Sequence, residues 1–391
     1  QSTENGLGLN LYVDGRFGSF STNRLDKKEL ETLITNGIES TRYLAVDESR
    51  MLVDPARYYK GGKPDLQLFD KKLYEVNPDD KVAIARAAAE EVLGKDERII
   101  SVDSSYSDGE GSSYRLISNG FEGESKSTWF SVSASVSIKG EGEARPQDYW
   151  YDSALFYDKL TKTGIGAKAL ERVLRKLGQK KAKSGKYTMV VDPMNVGNLL
   201  SPMLSALYGS ALQQKNSFLM DKLDTKVASD LFTLRDEPHA IGANGSRYFD
   251  NEGVATEPRT VFDKGVLKTY FIDTYNGKKM DIAPTISTPS RLILTPGDKD
   301  LNGLVADIKQ GILVTGFNGG NSNSSTGDFS YGIEGFLIED GKLTQPVNEM
   351  NVTGNMVTLW NSLVAVGNDP QPNRSWQIPS LVFEGVDFSG L

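Results

Sequence analysis

The chain has 391 residues, of which 38% are hydrophobic and 25% charged, and its net charge is -8 at pH 7. These values describe a globular protein with room for two or three cores, not a disordered or bilayer-spanning chain, and they argue against nucleic acid as the main partner. A single histidine and the absence of cysteine exclude thiol nucleophiles, disulfides and any metal site built on two imidazoles. We therefore predict that this chain holds no metal or other cofactor.

The first 60 residues predict an N-terminal domain whose start is truncated, because the chain opens inside a strand pattern. Alternating apolar residues over 7–13 lead into Asp14-Gly15, which is typical of a hairpin turn. Apolar residues at helical spacing follow at Leu30, Leu33, Ile34 and Ile38. The stretch 54–65, which carries proline and glycine, predicts a linker or long loop.

Residues 75–183 predict a central domain. Asp79-Asp80 is expected to cap a helix that ends near Gly94. The region 99–138 predicts an antiparallel meander with turns at Asp108-Gly109 and Asn119-Gly120. Its last strand alternates apolar residues with serines, so one face should be core and the other should meet water or a neighbour. A helix over about 170–177 closes the domain.

Residues 186–391 predict a C-terminal domain rich in mixed β-structure. Asp192-Pro193 opens an apolar helical stretch through about residue 212, and hairpins are expected at 263–265 and 340–341. Two further helices are expected near 301–308 and 355–363. Because strands and helices mix without a regular β-α-β rhythm, the fold class is predicted to be α+β and multi-domain, with the meander inside an N-terminal and central α/β region.

A glycine-rich segment at 316–326 includes Gly319 and Gly320 and precedes Asp328. It lacks the Gly-Lys-Ser/Thr of a phosphate loop, so we predict a mobile loop that could line a peptide cleft.

Three further side chains are candidates for a cleft or an interface. His239 lies in a predicted loop, where a lone histidine is most often structural. Asp250 and Glu252 alternate, so their carboxyl groups could converge as an acid and base pair. That pairing keeps an autonomous, metal-independent hydrolase open as an alternative function, although such acids more often order a loop.

An ordered set of motifs resembles the TldD/PmbA family, in particular its PmbA branch, also called TldE. The set comprises Asp236-Glu237-Pro238-His239, residues 245–256, 265–267, 275–279, 326–330 with 335–336, 346–347, and 366–369. The resemblance spans nearly the whole chain. It implies a two-component peptidase in which a TldD subunit binds zinc through a His-Glu-x-x-x-His helix and a TldE subunit helps to enclose the peptide. An older description of the family is as a modulator of DNA gyrase.

The resemblance also locates the family's zinc helix in this chain. That helix follows a Leu-Leu pair, which is here Leu199-Leu200. Ser201 then occupies the position of the first histidine, Pro202 that of the glutamate and Ala206 that of the second histidine. None of these side chains can bind zinc or accept a proton from its water at neutral pH. Ser201-Pro202 could restart the helix, or Pro202 could kink a helix that runs through it.

The sequence therefore predicts a non-catalytic TldE-like subunit for the proteolysis or maturation of small or unfolded peptides. Its expected partners are a zinc-binding TldD-like subunit and peptides, with a homodimer plausible when it is alone. We expect no direct nucleic acid or membrane contact and, with no cysteine, a cytoplasmic location. A peptide-binding or toxin-binding modulator without any proteolytic role is the third hypothesis.

Overall fold

The computed structural model describes residues 2–391 and has the predicted α+β architecture. β1 (Leu7–Val13) and β2 (Arg16–Thr22) form the expected antiparallel hairpin, and both turn residues, Asp14 and Gly15, have positive φ. α1 (Lys27–Arg42) follows, with the Asp26 side chain accepting a hydrogen bond from the backbone N–H of Glu29. The predicted N-terminal hairpin and helix are therefore confirmed.

The segment between α1 and the central sheet is irregular, as predicted for 54–65, yet it does not behave as a free linker. Tyr58 is only 2% exposed. The backbone N–H of Tyr59 donates to the Gly253 carbonyl at 3.1 Å, and that of Ala255 donates to the Arg57 carbonyl at 2.9 Å. This short antiparallel pairing joins the N-terminal region to the turn that contains Asp250 and Glu252.

The central region is a three-stranded antiparallel sheet covered on one face by two helices. Its elements are α2 (Pro78–Glu90), β3 (Ile99–Ile117), β4 (Phe121–Ile138), β5 (Gln147–Ala154) and α3 (Ile165–Leu174), with strand order β3-β4-β5. The alternation predicted for β4 is confirmed. Its apolar residues Phe130, Val132, Ala134, Val136 and Ile138 are at most 1% exposed beneath the helices, while the serines lie on the opposite face.

Two local predictions in this region are wrong. Asp108-Gly109 is not a turn, because β3 pairs with β4 without interruption, with Asp108 opposite Phe130 and Gly109 opposite Trp129. Lys81 binds the Asp108 carboxylate at 2.7 Å, which stabilises the extended course of the strand. The second wrong prediction is the N-cap of α2, which is Asn77 and not Asp79-Asp80. The Asn77 side chain accepts a hydrogen bond from the backbone N–H of Asp80. Long-range strand pairing thus overrides a local turn signal.

The C-terminal region contains a barrel, a small sheet and several short helices. Its first elements are β6 (Gly185–Val191), α4 (Gly197–Ser205), α5 (Gly209–Gln213), β7 (Leu234–Asp236), β8 (Arg259–Asp263), β9 (Val266–Leu267), α6 (Thr274–Met280) and β10 (Leu292–Leu294). They are followed by α7 (Leu301–Ala306), β11 (Gln310–Ser322), β12 (Asp328–Glu339), β13 (Lys342–Asn355), α8 (Met356–Asn361), β14 (Leu363–Val366) and β15 (Leu381–Ser389). None of the helices in residues 2–391 combines the length and the apolar character needed to cross a bilayer.

The larger sheet has the order β13-β12-β11-β6-β15-β14, and an additional pairing of β13 with β15 closes five of its strands into a barrel. The smaller sheet has the order β10-β7-β8-β9. The largest core cluster fills the barrel and the space beneath the short helices, and Phe121, at the tip of the β3-β4 hairpin, inserts into it. Through this aromatic side chain the central region is anchored to the turn at Gly253.

The predicted mobile loop at 316–326 is wrong for most of its length. β11 continues through Gly319 and Gly320 to Ser322 and pairs with β12, with a register shift between Phe317 and Gly320. Gly320 has a φ of 95°, and a Cβ there would lie 2.1 Å from the Ser330 carbonyl oxygen. The glycine therefore permits close approach of two barrel strands.

Candidate functional site

Helix α4 carries the positions at which the family resemblance places a zinc site. It begins at Gly197 and runs past Pro202 to Ser205, so of the two alternatives the helix runs through Pro202 and does not restart at Ser201. The helix contains no charged residue and is held by apolar packing. Four of its side chains are at most 1% exposed, namely Leu199, Leu200, Met203 and Leu204. The tertiary core thus offsets the cost of a proline inside the helix.

The three positions of the family's zinc motif do not form a metal site here. Ser201 is exposed, Pro202 is half-buried, and Ala206 is fully buried with its carbonyl accepting a hydrogen bond from the Ser217 hydroxyl at 2.6 Å. Zinc in proteins needs thiolate, imidazole or carboxylate ligands. Within residues 2–391, no three His, Cys, Asp or Glu side chains lie close enough together to hold a metal ion. The family's zinc therefore does not fit these residues.

The single histidine is held in place by hydrogen bonding. His239 Nε2 lies 3.1 Å from Thr256 Oγ1, and the Thr256 hydroxyl donates its one proton to the Arg247 carbonyl. The imidazole must therefore donate to Thr256 through Nε2. Burial, together with the nearby positive charge of Lys63, lowers the pKa of His239 below its usual value. A neutral imidazole that also packs on the Tyr248 ring fits a structural role.

Asp250 is a buried structural carboxylate. One oxygen accepts from the backbone N–H groups of Glu252 and Val254, at 2.8 and 3.0 Å. The other accepts from the backbone N–H and the hydroxyl of Ser287, at 3.0 and 2.8 Å. The side chain belongs to a residue that is 2% exposed. With four donors already bound, Asp250 orders its turn and ties it to Ser287.

Glu252 points to a different segment. One of its oxygens accepts from the backbone N–H and the hydroxyl of Thr274, at 3.0 and 3.1 Å, at the start of α6. Burial raises its pKa, and the negative charges of Asp250 and Asp273 add to that shift. Asp250 is bound to Ser287 and Glu252 to Thr274, so each carboxyl group is held by backbone and hydroxyl donors of a different segment. This geometry does not favour the carboxylate-based hydrolase.

The remaining candidates lie on the barrel. Asp328, at the start of β12, accepts hydrogen bonds from the Asn355 amide at 3.0 Å and the Thr326 hydroxyl at 2.7 Å, and these two bonds lower its pKa. Gly319 and Gly320 lie nearby on β11. Among residues 2–391, no hydrogen bond or ion pair links this group to His239, Asp250 or Glu252. The barrel candidates Asp328, Gly319 and Gly320 are therefore not joined to the other three candidates.

The sequence analysis missed a buried polar network beside His239. The Asp236 carboxylate accepts from the backbone N–H groups of Ser290 and Arg291, and burial raises its pKa. The Arg247 guanidinium donates to Ser290, Thr288 and Pro289. The sequence did contain a signal for this network. Asp236 lies two residues after the core residue Leu234 on a short strand, so both side chains share the buried face, and a buried carboxylate needs hydrogen-bond partners.

Together, the barrel, the covered central sheet and α4 define a peptidase-related fold, in which residues 2–391 contain no cluster of three potential metal ligands. The family models agree with this class. Residues 71–177 match the PmbA/TldA metallopeptidase central domain, and residues 184–390 match the C-terminal domain of the same family. The chain belongs to the PmbA/TldD metallopeptidase family.

Individual relatives cover the whole chain. It is 28% identical to the metalloprotease PmbA homolog of Haemophilus influenzae over 400 residues, which include 100% of this chain and 86% of the relative. It is 26% identical to the metalloprotease PmbA of Escherichia coli over 393 residues, again 100% of this chain and 86% of the relative. These names connect the family to peptidases.

Solved structures support the same assignment. A crystal structure from Bacteroides thetaiotaomicron, described as a proposed modulator of DNA gyrase, is 73% identical and superposes with a TM-score of 0.99, covering 100% of this chain and 89% of that one. TldE from Thermococcus kodakarensis, at 21% identity and a TM-score of 0.82, covers 98% of this chain and 89% of that one. The latter likeness concerns the fold alone.

Proposed function

We propose that this chain is the non-catalytic, TldE-like subunit of a two-component zinc peptidase that acts on small or unfolded peptides. The observation that carries the proposal is helix α4, where the positions of the family's ligands and general base are occupied by Ser201, Pro202 and Ala206. A serine hydroxyl, a proline and a buried alanine supply neither a zinc ligand nor a proton acceptor at neutral pH. In this proposal a TldD-like partner supplies the metal and the chemistry.

The role of this chain is then positional. It would confine the peptide near the partner's zinc and limit access by folded proteins, which favours reaction by holding the reactants together. The buried turn around Asp250, and the pairing of residues 57–59 with residues 253–255, give the chain a rigid framework for that task. A homodimer of the isolated chain and a cytoplasmic location stay predictions from the sequence.

Hydrolysis of an unstructured peptide, measured with and without the partner, tests the proposal. The isolated chain should bind no stoichiometric zinc and cleave nothing, and cleavage should appear when a zinc-loaded TldD-like subunit is added. The matched control is the same mixture with the partner stripped of its metal, which should be inactive.

Two results would contradict the proposal. Chelator-resistant hydrolysis by the isolated chain that Glu252→Gln abolishes would favour the carboxylate-based hydrolase. Peptide binding with no change in the cleavage rate of any mixture would favour a modulator without a proteolytic role.

A further inference from the structure

The C-terminal region contains a groove of about 500 Å³ beside β14, at the end of the larger sheet. We call it the β14 groove, and its defining residues are Leu231, Lys264, Pro296, Asp298, Leu304 and Val364. Its volume lies within the roughly 300–1,000 Å³ typical of sites for small ligands. It includes none of the α4 positions and none of the candidates described above.

Hydrogen bonds and close packing hold the walls of the β14 groove in place. The backbone N–H of Lys264 donates to the Thr233 hydroxyl at 3.0 Å. A Cβ at Gly297 would lie 2.0 Å from the Val366 carbonyl oxygen, so this wall packs directly against β14. The Gly297 N–H donates to the Gly367 carbonyl at 2.9 Å. The groove therefore exists without a ligand, and binding requires little ordering of its backbone.

Apolar side chains are left open inside the groove. Leu231 and Val364 are each 43% exposed, although Leu304 beneath them is only 5% exposed. Covering such aliphatic surface with an apolar group is favourable, because it removes the surface from water. Leu231 and Val364 therefore offer two apolar contact sites for the aliphatic side chains of a ligand.

The charges of the groove are not all neutralised internally. Lys299 forms an ion pair with Asp307, and Asp230 forms one with Lys226 at 2.7 Å. In contrast, the side chains of Lys264 and Asp298 form no hydrogen bond or ion pair with any residue in 2–391. A ligand with one anionic and one cationic group would satisfy both.

We propose that the β14 groove binds a short zwitterionic peptide with aliphatic side chains. Its C-terminal carboxylate lies against Lys264, its N-terminal ammonium against Asp298, and its side chains on Leu231 and Val364. The chain just beyond β14 already pairs with residues 297–299, so the peptide is held through its termini and its side chains. The paired opposite charges favour this ligand over a fatty acid, which has a carboxylate but no ammonium group.

The proposal does not depend on the proposed function, because it concerns the isolated chain and a different surface. The test is calorimetric titration of this chain, without a partner, with the tripeptide Leu-Val-Leu. Amidation of the C-terminus and acetylation of the N-terminus should each weaken binding on the order of tenfold, since each removes one charge-assisted contact. Octanoate should bind at least about tenfold more weakly than the free tripeptide.

Variants assign each contact. Lys264→Ala should bind the free and the amidated tripeptide equally, and Asp298→Asn should bind the free and the acetylated tripeptide equally. Val364→Asp should abolish binding while circular dichroism shows an intact fold. Lys278→Ala, an exposed lysine on α6 outside the groove, is the matched control and should keep every preference.

Several outcomes would overturn the proposal. These are an absence of binding by the free tripeptide, equal binding of free and capped forms to the unmodified chain, or octanoate binding as tightly as the tripeptide. A change of oligomeric state in Val364→Asp would also overturn it, because the groove would then be a contact between copies of this chain.

Discussion

Helices α3 and α4 both bury apolar side chains, but α3 adds charged contacts that reach the barrel, whereas α4 has none. α3 and the turn after it use charge, since Arg172 and Lys176 bind Asp148 at 3.2 Å and Lys176 also binds Glu334 on the barrel at 2.8 Å. α4 has no charged side chain and relies on burial. The side chains of α4 contribute apolar packing to the main core, where Leu199, Leu200 and Met203 are fully buried.

Even the start of each helix shows the contrast. The N-terminus of α3 is capped by the Glu91 carboxylate, which accepts from the backbone N–H groups of Gly164 and Gly166 at 2.6 and 2.8 Å. A carboxylate at that end also interacts favourably with the helix dipole. α4 has no side-chain cap, and its preceding turn is held by the buried Asp192. Four tests show how far this contrast extends.

The largest expected effect is on α4. Leu200→Ala removes a fully buried side chain and should lower the free energy of unfolding by about 4 kcal/mol, because a cavity remains in the main core. Urea denaturation measures the change. Ser201→Ala, at the exposed neighbouring position, is the control and should change stability by less than about 0.5 kcal/mol. Equal effects at both positions would contradict the assignment of α4 to packing.

The corresponding test of α3 is Asp148→Ala. Asp148 has a side chain only 6% exposed, and its removal leaves Arg172 and Lys176 without their shared carboxylate. We expect a loss of about 3 kcal/mol in the free energy of unfolding. Asp158→Ala, at an exposed residue, is the control. A loss below 1 kcal/mol, about the value of a surface pair, would mean that the charged anchor contributes little.

A third test compares glycines on the two helices. Gly166 lies where α3 crosses α2, and a Cβ there would sit 1.9 Å from the Ala88 carbonyl oxygen. Gly166→Ala should therefore destabilise the protein by about 2 kcal/mol through overpacking. At Gly197 on α4 there is no atom within 4 Å of the added Cβ, so Gly197→Ala should be neutral or slightly stabilising. Thermal unfolding should show a lower Tm for Gly166→Ala and an unchanged or higher Tm for Gly197→Ala, and a comparable loss in both variants would contradict the close packing of α3 on α2.

The smallest expected effect is a change in how the free energy of unfolding depends on pH. Burial raises the pKa of Asp192 above its ordinary value, although Asn195 and Arg172 act in the opposite direction. The folded protein therefore retains this proton more readily than the unfolded chain. Stability contributed by the group is fully present below the unfolded pKa and is lost as pH rises through the folded pKa.

Asp192→Asn should remove that dependence while keeping an oxygen for the Asn195 N–H, at 3.0 Å in the parent protein. Relative to the parent, the variant should gain stability as the pH increases from 4 to 8. Urea denaturation across that range measures the difference. A constant difference, or one that falls with pH, would show that Asp192 is not responsible.

The sequence by itself determined the features that arise from near neighbours. The Asp14-Gly15 hairpin and the alternation of serines with core residues in β4 could be read directly, whereas the positions Ser201 and Ala206 were singled out by the family resemblance. A turn, a strand face and a side chain's chemistry depend on a few consecutive residues, so local patterns specify them.

Only the tertiary structure decided the rest. It showed that β3 passes straight through Asp108-Gly109, that Gly320 lies in a barrel strand, and that Asp250 and Glu252 face Ser287 and Thr274. It also formed the β14 groove from segments far apart in the chain. Such features depend on which distant strands pair and which side chains they bury, and because local patterns are compatible with several such pairings, the choice is made by the packing of the whole core.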